Sequence, residues 1–438
     1  MGFASDLVDF SREFSNSGNS KTAINFVKLS ILDWAAVGIL GKLEPASNVI
    51  MQMVSEESGK EEAFVFGSQV KYPARAAALA NGVISHALDY DDTNFKYLGH
   101  PSVVVNSAVF AIANKINLPL SSTIECVLVG SEVASRMGVW LGKDHYDRGF
   151  HITATAGVFG AAMGSSRVLG STKNIVKNAL SLASSKASGL KMQFGTMGKP
   201  YHAGIAASSG VEVAILASYG LTAAEYSLEG EYGFGSVYGR PKGVSNLSFE
   251  KTDFLSTQTK FKFHACCHGT HASIEALEFL KINYCLDVEK IYKIIITVHP
   301  SFATVCNIHK PKSGLEMKFS YRMIAALQMF GYDTGKFETF ADHMCLDRAL
   351  NEFTKKIDVY FTEQVGVSQS YVEVQLISGQ TYSKSYDLSD EVTYNRLESR
   401  VRKKVQNLLG KSIEEKIWMM IQDEEVSSTT FMKFLSEC

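Results

Sequence analysis

The segment STIECVLVGSEVASRMGVWLG, residues 122–142, predicts a long helix in the first half of the chain. Its apolar residues recur every three or four positions, the spacing of a helix face that packs against a core. Many of the remaining positions carry Ala, Gly or Ser, whose small side chains let helices approach closely. The same spacing continues on both sides of this segment, at residues 22–42, 75–88, 101–115, 153–169, 174–187 and 201–219. The chain is therefore predicted to be all helical from about residue 4 to 245.

The character of the sequence changes after a glycine-rich stretch at 228–243, which is typical of a linker. β-branched and aromatic residues then cluster or alternate over strand lengths, and helical spacing appears between them. The predicted strands lie at 290–300, 355–363, 370–379 and 380–388, with a hairpin turn at Ser378-Gly379. The fold class is predicted as mostly α. A large all-helical domain spans residues 1–245, completed by helices at 392–438, and a smaller α+β lid domain spans 246–391.

Length and charge agree with two domains and exclude several classes of protein. The chain has 438 residues, more than the roughly 250–300 at which a single core usually divides. Its net charge is -2 and it has no run of five like charges, so a nucleic-acid partner is not expected. No apolar run reaches the roughly 18–20 residues of a membrane span. The first residues are acidic where a targeting leader would be basic, so we expect a cytoplasmic protein.

The segment SHALDYDDTNFKYLGHPS, residues 85–102, places three aspartates within four positions and a histidine before Pro101. Proline is favoured as the first residue of a helix, which puts His100 at a helix start. Three interpretations are open: a solvated acidic loop, a metal site that lacks the spacing of a calcium-binding loop, or one wall of an acid/base site. In the third, His100 lies where anionic ligands bind, and Asp89 orients its imidazole.

Two more segments have the form of a loop that leads into a helix. His151 lies in DRGFHITATAGVFG at 147–160, and Lys199 lies in GTMGKPYHAG at 195–204. Small residues beside each would let a ligand approach the backbone N–H groups. If the three junctions converge, they form a cationic cup suited to carboxylates.

The segment KFHACCHGTHASIEAL, residues 262–277, combines histidines with two of the seven cysteines. A zinc site is one interpretation, although adjacent cysteines cannot easily share one tetrahedral ion and no C-x-x-C pair occurs. A Cys/His nucleophile pair is another. The third is a strand-turn-helix crossover that lends polar groups to the cup. The cysteine spacing predicts reduced thiols, with neither a disulfide framework nor structural zinc.

In this order and at these intervals, the segments resemble the MmgE/PrpD family, over about residues 5–390. The family includes 2-methylcitrate dehydratase, cis-aconitate decarboxylase and iminodisuccinate epimerase. The resemblance implies a large helical domain and a smaller α+β lid domain, a homodimer, an active site between the domains, and no metal or organic cofactor. The residues that it implies are catalytic are Asp89, His100, His151, Lys199 and Tyr321, and those that it implies bind substrate are Thr93, Lys262, Cys267 and His268.

These residues predict proton abstraction next to a carboxylate of a small di- or tricarboxylic acid. Lys199 and Lys262 would hold carboxylates, while His100 and His151 would move protons. Cys267 stands where cis-aconitate decarboxylases have a histidine, and Ile205 stands where many relatives have an arginine.

We therefore expect a hydro-lyase of the 2-methylcitrate dehydratase type or an iminodisuccinate-type epimerase. The alternatives are a cis-aconitate-type decarboxylase, a non-catalytic carboxylate-binding paralogue, and a thiol enzyme built on Cys266 or Cys267.

Overall fold

The computed structural model describes residues 2–14, 20–239 and 254–438. Over these ranges the chain is mostly helical, with a sheet in its later part, and the predicted fold class is confirmed. The helices are α1 (Phe3–Glu13), α2 (Lys21–Gly41), α3 (Pro45–Glu57), α4 (Ala74–His86), α5 (Pro101–Ile116), α6 (Leu120–Asp147), α7 (Ile152–Thr155), α8 (Gly157–Val168), α9 (Lys173–Ser184), α10 (Gly198–Ser218), α11 (Phe234–Tyr238), α12 (His271–Asn283), α13 (Gly314–Met317), α14 (Tyr321–Phe330), α15 (Arg348–Thr354), α16 (Tyr394–Leu409), α17 (Lys411–Gln422) and α18 (Ser428–Glu437).

The strands fall into three groups. Two pairs of two-residue strands accompany the helices, and the other four strands form one sheet. The strands are β1 (Ala63–Phe64), β2 (Lys71–Tyr72), β3 (Thr93–Asn94), β4 (Thr259–Lys260), β5 (Ile291–Val298), β6 (Ile357–Phe361), β7 (Gln369–Leu376) and β8 (Thr381–Asp387). β1 to β3 lie in the part predicted to be all helical, because a two-residue strand is too short to leave a periodic signal.

The chain divides into two compact units. The first is Met1–Phe261 with Leu408–Cys438, and the second is Lys262–Asn407. The boundary predicted at residue 245 lies outside the described residues. The second unit extends past the boundary predicted at residue 391 and includes most of α16. The stretch at 228–243 is not simply a linker where it is described, because it contains α11, whose Phe234 is buried.

Close-packed helices form the core of the first unit. The described side chains of α5 are buried from Pro101 to Asn114, which a helix surrounded by other helices requires. α2 is the only helix among the described residues that is long and apolar enough to cross a membrane, and 72% of its most apolar window is buried inside the protein. This burial fits a core helix.

Glycines set the distance between α4 and α10. A Cβ atom on Gly82 would lie 2.7 Å from Gly204 Cα, and one on Gly204 would lie 2.5 Å from the carbonyl oxygen of Leu79. Only glycine permits so close a backbone approach. Since Gly82 is near the end of α4 and Gly204 near the start of α10, this crossing brings His86 and Lys199 towards each other.

The second unit is built on a four-stranded sheet of order β6-β5-β7-β8. β5 runs parallel to β6 and antiparallel to β7, while β7 and β8 form the predicted hairpin. Gly379, in its turn, has a φ of +87°, a left-handed conformation that favours glycine. Alternate residues of β5 and β7, such as Ile296 and Val372, are buried.

Candidate active site

Four chain segments of the first unit meet around a group of polar side chains. His86 is the last residue of α4, His100 directly precedes α5, His151 directly precedes α7, and Lys199 lies in the first turn of α10. The three predicted loop-to-helix junctions therefore exist. The start of α5 is tied to α7 because the backbone N–H of His100 donates to Thr153 Oγ1 at 3.0 Å.

Asp89 connects two of these junctions. Its Oδ1 lies 2.6 Å from Lys199 Nζ and 3.6 Å from His100 Nε2. Its backbone has a φ of +50°, a left-handed conformation that aspartate tolerates better than most residues do. Strained backbone of this kind occurs preferentially at functional sites. Asp89 thus lies beside both an imidazole and an ammonium group, in the place predicted for an orienting carboxylate.

Asp91, rather than Asp89, makes the closer contact with His100. One Asp91 oxygen is 2.9 Å from His86 Nδ1, and the other is 2.8 Å from His100 Nδ1. Burial alone would raise the pKa of this carboxyl, but His100 and His86 on its two sides hold the pKa well below its ordinary value. An ionised Asp91 therefore lies beside Nδ1 of His100, while Nε2 of the same ring lies 3.6 Å from Asp89. The orienting role predicted for Asp89 stays a prediction, and Asp91 is a second carboxylate beside the same ring.

The two predicted proton-transfer residues are both buried. His100 is 8% exposed and His151 is 2% exposed. Burial lowers the pKa of His100 to about 4, although Asp91 opposes the shift. Burial also places the pKa of His151 well below its usual range, and the nearby Lys199 ammonium lowers the pKa further. Both rings are neutral at pH 7 and can accept a proton.

His151 contacts three aromatic or imidazole rings. Its Nδ1 lies 3.1 Å from Nδ1 of His202, which is four residues after Gly198 on α10. The edge of the Phe194 ring packs against it at 4.9 Å between centroids, and the His86 ring stacks at 6.2 Å. Burial, followed by His86, lowers the pKa of His202. Four histidines therefore lie close together here, and the sequence predicted two of them, His100 and His151. The other two are His86 and His202.

The acidic cluster also contains Asp92, which is directed away from the imidazoles. Its Oδ2 accepts a hydrogen bond from Ser102 Oγ at 2.6 Å. Burial and the nearby Asp33 raise the pKa of Asp92 to about 8. Thr93 follows in β3, which pairs with β4 through Lys260. Asp92 therefore ties the loop to the first turn of α5.

The first unit also presents a possible cation site. Ligand atoms of His86, Asp89, Asp91 and His100 lie within 4.8 Å of one another. The ammonium of Lys199, 2.6 Å from Asp89, is the cation that the structure places beside them. Among the described residues, this is the only such group of three or more side chains, so the zinc interpretation of the segment at 262–277 is not favoured.

The remaining predicted site residues belong to the second unit. Lys262, Cys267 and His268 lie at its start, and Tyr321 is the first residue of α14. Lys262 and Tyr321 are buried, at 2% and 1% exposure, and His268 packs its ring 4.6 Å from that of His271. The Tyr321 hydroxyl donates to the carbonyl of Gly269 at 2.9 Å. Burial, and then Cys306, raises the pKa of this phenol well above its usual value. Tyr321 is therefore a neutral hydrogen-bonding group.

Thiols surround this tyrosine. Burial raises the pKa of Cys266 to about 12, and its Sγ lies 3.1 Å from Thr270 Oγ1. Burial and contact with Cys267 raise the pKa of Cys306 well above its usual value. Thiols that stay protonated are poor nucleophiles, so Cys266 and Cys306 do not support a thiol enzyme. Cys267 is only partly buried.

The site residues that the sequence did not predict are His86, Asp91 and His202. His86 and Asp91 lie inside the quoted segment at 85–102, but their pairing depends on the left-handed turn at Asp89. His202 lies three residues after Lys199, a spacing that places both on one side of a helix. That spacing is a signal that could have identified His202.

Buried neutral imidazoles beside a carboxylate and an ammonium are the kinds of side chain that acid/base sites use. Residues 5–246 match the MmgE/PrpD N-terminal domain, and residues 264–425 match the MmgE/PrpD C-terminal domain. Together these matches cover most of the chain, which belongs to the MmgE/PrpD family. The resemblance seen in the sequence is thereby confirmed.

The chain is similar to several curated cis-aconitate decarboxylases. It is 28% identical to that of Homo sapiens over 316 residues, which cover 69% of this chain and 65% of the human protein. It is 26% identical to that of Aspergillus terreus over 381 residues, covering 82% of this chain and 75% of the fungal protein. It is 32% identical to that of Mus musculus over 218 residues, covering 48% of this chain and 44% of the mouse protein. The chain thus spans slightly less than two thirds of the human relative's length.

Proposed function

We propose that this protein is a lyase or isomerase that moves a proton at a carbon next to a carboxylate of a small di- or tricarboxylic acid. The observation that carries the proposal is the pair of buried imidazoles, His100 and His151, beside the ammonium of Lys199. A carbon acid of this kind is weak, and its deprotonation creates an enediolate with an additional negative charge. A neutral base and a fixed cation meet these two requirements.

The roles follow from the contacts in the first unit. His100 or His151 accepts the proton at Nε2, since the Nδ1 atoms of the two rings face Asp91 and His202. Lys199 binds the substrate carboxylate whose charge increases during the reaction. Asp89, 2.6 Å from Lys199, holds the ammonium in position before the substrate arrives.

We retain substrate-binding roles for Lys262, Cys267, His268 and Thr93, and the catalytic role that the family resemblance implies for Tyr321. These roles, together with a homodimer, a cytoplasmic location and the absence of a cofactor, come from the family resemblance and from the sequence, and they are part of the proposal.

For the reaction type we favour loss of water or epimerisation. By the family resemblance, Cys267 stands where cis-aconitate decarboxylases have a histidine in the crossover. A thiol has an ordinary pKa of about 8.5 and a much weaker affinity for a second proton than imidazole, so it does not supply an imidazolium donor. Decarboxylation is the second candidate, and the similarity to curated cis-aconitate decarboxylases favours it.

The test is incubation of the full chain with methylcitrate, iminodisuccinate and cis-aconitate, each in deuterated water. Loss of water, deuterium uptake without other change, and release of carbon dioxide identify dehydration, epimerisation and decarboxylation. His100→Gln and His151→Gln should each lower turnover by about 10²–10⁴-fold, the usual contribution of a general acid or base.

His343→Gln is the matched control, since that histidine is exposed in the second unit. Full turnover in both site variants would refute the acid/base assignment. A carboxylate-binding paralogue without activity would instead bind these acids, seen as a raised melting temperature, without converting them.

A further inference from the structure

The contact between His151 and His202 restricts where their protons lie. The two Nδ1 atoms are 3.1 Å apart. A hydrogen bond between ring nitrogens requires one protonated and one unprotonated atom. Two N–H groups would repel, and so would two lone pairs. The pair therefore holds a single proton between its Nδ1 atoms, and each ring determines the tautomer of the other.

This coupling determines what His151 presents at its other nitrogen. When His151 carries the shared proton, its Nε2 has a lone pair and can act as a base. When His202 carries it, neutral His151 has its proton on Nε2 and can act as an acid. A shift of one proton over the Nδ1 contact thus converts the base form of His151 into the acid form.

The two rings also differ in their access to water. His151 is 2% exposed, enclosed by Phe194 and by His86, whereas His202 is only half-buried. A proton that reaches His202 can therefore pass to solvent, while one on His151 has no comparably exposed ring beside it among the described residues.

We propose that His202 is a relay residue that connects His151 to solvent. This proposal rests on the proposed role of His151 as a base. In the forward step the substrate C–H bond breaks, its electron pair stays on carbon, and the proton forms a bond to His151 Nε2. The His151 Nδ1–H proton then moves to His202 Nδ1, and the His202 Nε2–H proton moves to water. Both rings end neutral with exchanged tautomers, and the reverse sequence delivers a proton to carbon.

The first experiment needs no substrate. In the full chain labelled with ¹⁵N at histidine, we expect one protonated and one unprotonated Nδ1 in this pair. Two protonated Nδ1 atoms at neutral pH would overturn the proposal.

The matching variant is His202→Asn, whose amide lies near the position of Nδ1 and can hydrogen-bond to His151 but cannot pass a proton on. It should slow hydrogen exchange of the His151 ring N–H with solvent by tenfold or more, and added imidazole should restore part of the rate. Tyr201→Phe, at the exposed neighbouring position on α10, is the control and should leave exchange unchanged. Wild-type exchange in His202→Asn would overturn the proposal.

A second experiment separates this inference from the proposed function. Methylcitrate and iminodisuccinate that carry deuterium next to a carboxylate are incubated in ordinary water, and loss of deuterium from the recovered acid is measured. His202→Asn should return several-fold more deuterium to carbon than the wild type does. If His151→Gln abolishes the exchange and His202→Asn does not alter it, only the relay is wrong. If His151→Gln exchanges like the wild type, the proposed base is wrong.

Discussion

Replacing Asp92 by asparagine tests how this buried carboxyl affects the free energy of unfolding at different pH. Asp92 is fully buried, and burial together with Asp33 raises its pKa to about 8. In the unfolded chain the same carboxyl has its ordinary pKa of 3.8. Between these two values the folded state holds a proton that the unfolded state has released. The free energy of unfolding therefore falls as pH rises through this range.

The size of this effect follows from the shift. Each pH unit in the range lowers the free energy of unfolding by about 1.4 kcal/mol. Through this one group, the wild type therefore loses about 3 kcal/mol of unfolding free energy between pH 5 and pH 7. Asparagine has the shape of the protonated acid and does not titrate. Its carbonyl can still accept the Ser102 hydrogen bond, which is 2.6 Å long in the wild type. The free energy of unfolding of Asp92→Asn, relative to that of the wild type, should therefore increase by about 3 kcal/mol as pH rises from 5 to 7.

Urea unfolding of both proteins at pH 5 and pH 7 measures this difference, and groups that titrate alike in both proteins cancel. Asp144→Asn, an exposed aspartate of the same unit, is the control and should leave the difference near zero. An advantage of Asp92→Asn that is constant with pH, or that shrinks as pH rises, would refute the reasoning.

Three further outcomes follow from the site and its supporting helices. Because burial lowers the pKa of His100 to about 4, kcat/KM for the acid turned over should stay level from pH 7 to below pH 6, and an acid limb centred at 6.5 would contradict the buried neutral base. Lys199→Met should lower kcat/KM by about 10²–10³-fold, as the loss of one charge-stabilising donor does, whereas Lys199→Arg keeps the charge and should lose less in the same assay. Gly204→Ala should lower the free energy of unfolding by at least about 1–3 kcal/mol, since its Cβ would lie 2.5 Å from the Leu79 carbonyl oxygen. Thermal unfolding measures this loss. Gly170→Ala is the control, because no atom lies within 4 Å of its Cβ and only its left-handed backbone is strained.

The helices and the junctions that begin them were predictable because their signals are local. Apolar spacing identified α5 and α6, and Pro101 correctly placed His100 at a helix start. The two-residue strand β3 could not be predicted, since its pairing with β4 joins residues that are far apart in sequence.

The second carboxylate beside His100, that of Asp91, was missed for a related reason. Asp89 and Asp91 are equivalent in a sequence pattern, and the structure places both beside His100, on either side of the left-handed backbone at Asp89. His86 contacts His100 and His202 contacts His151 between different chain segments, and the spacing from Lys199 that points to His202 does not show these contacts. The family resemblance supplied roles for single residues but not these pairings.

The glycine crossing of α4 and α10 has a consequence for how such a site can change. Gly82 and Gly204 set the helix separation by backbone contact, so no side chain between them can be enlarged or trimmed to widen or narrow the gap. A substitution at either glycine that pushed α4 and α10 apart would therefore carry a stability cost like that expected for Gly204→Ala. If the site acts as proposed, a change of substrate size should come from its other side chains, which can vary without moving these two helices. The crossing therefore fixes the spacing of the two helices. Engineering for a new substrate should keep Gly82 and Gly204 and vary the residues around them.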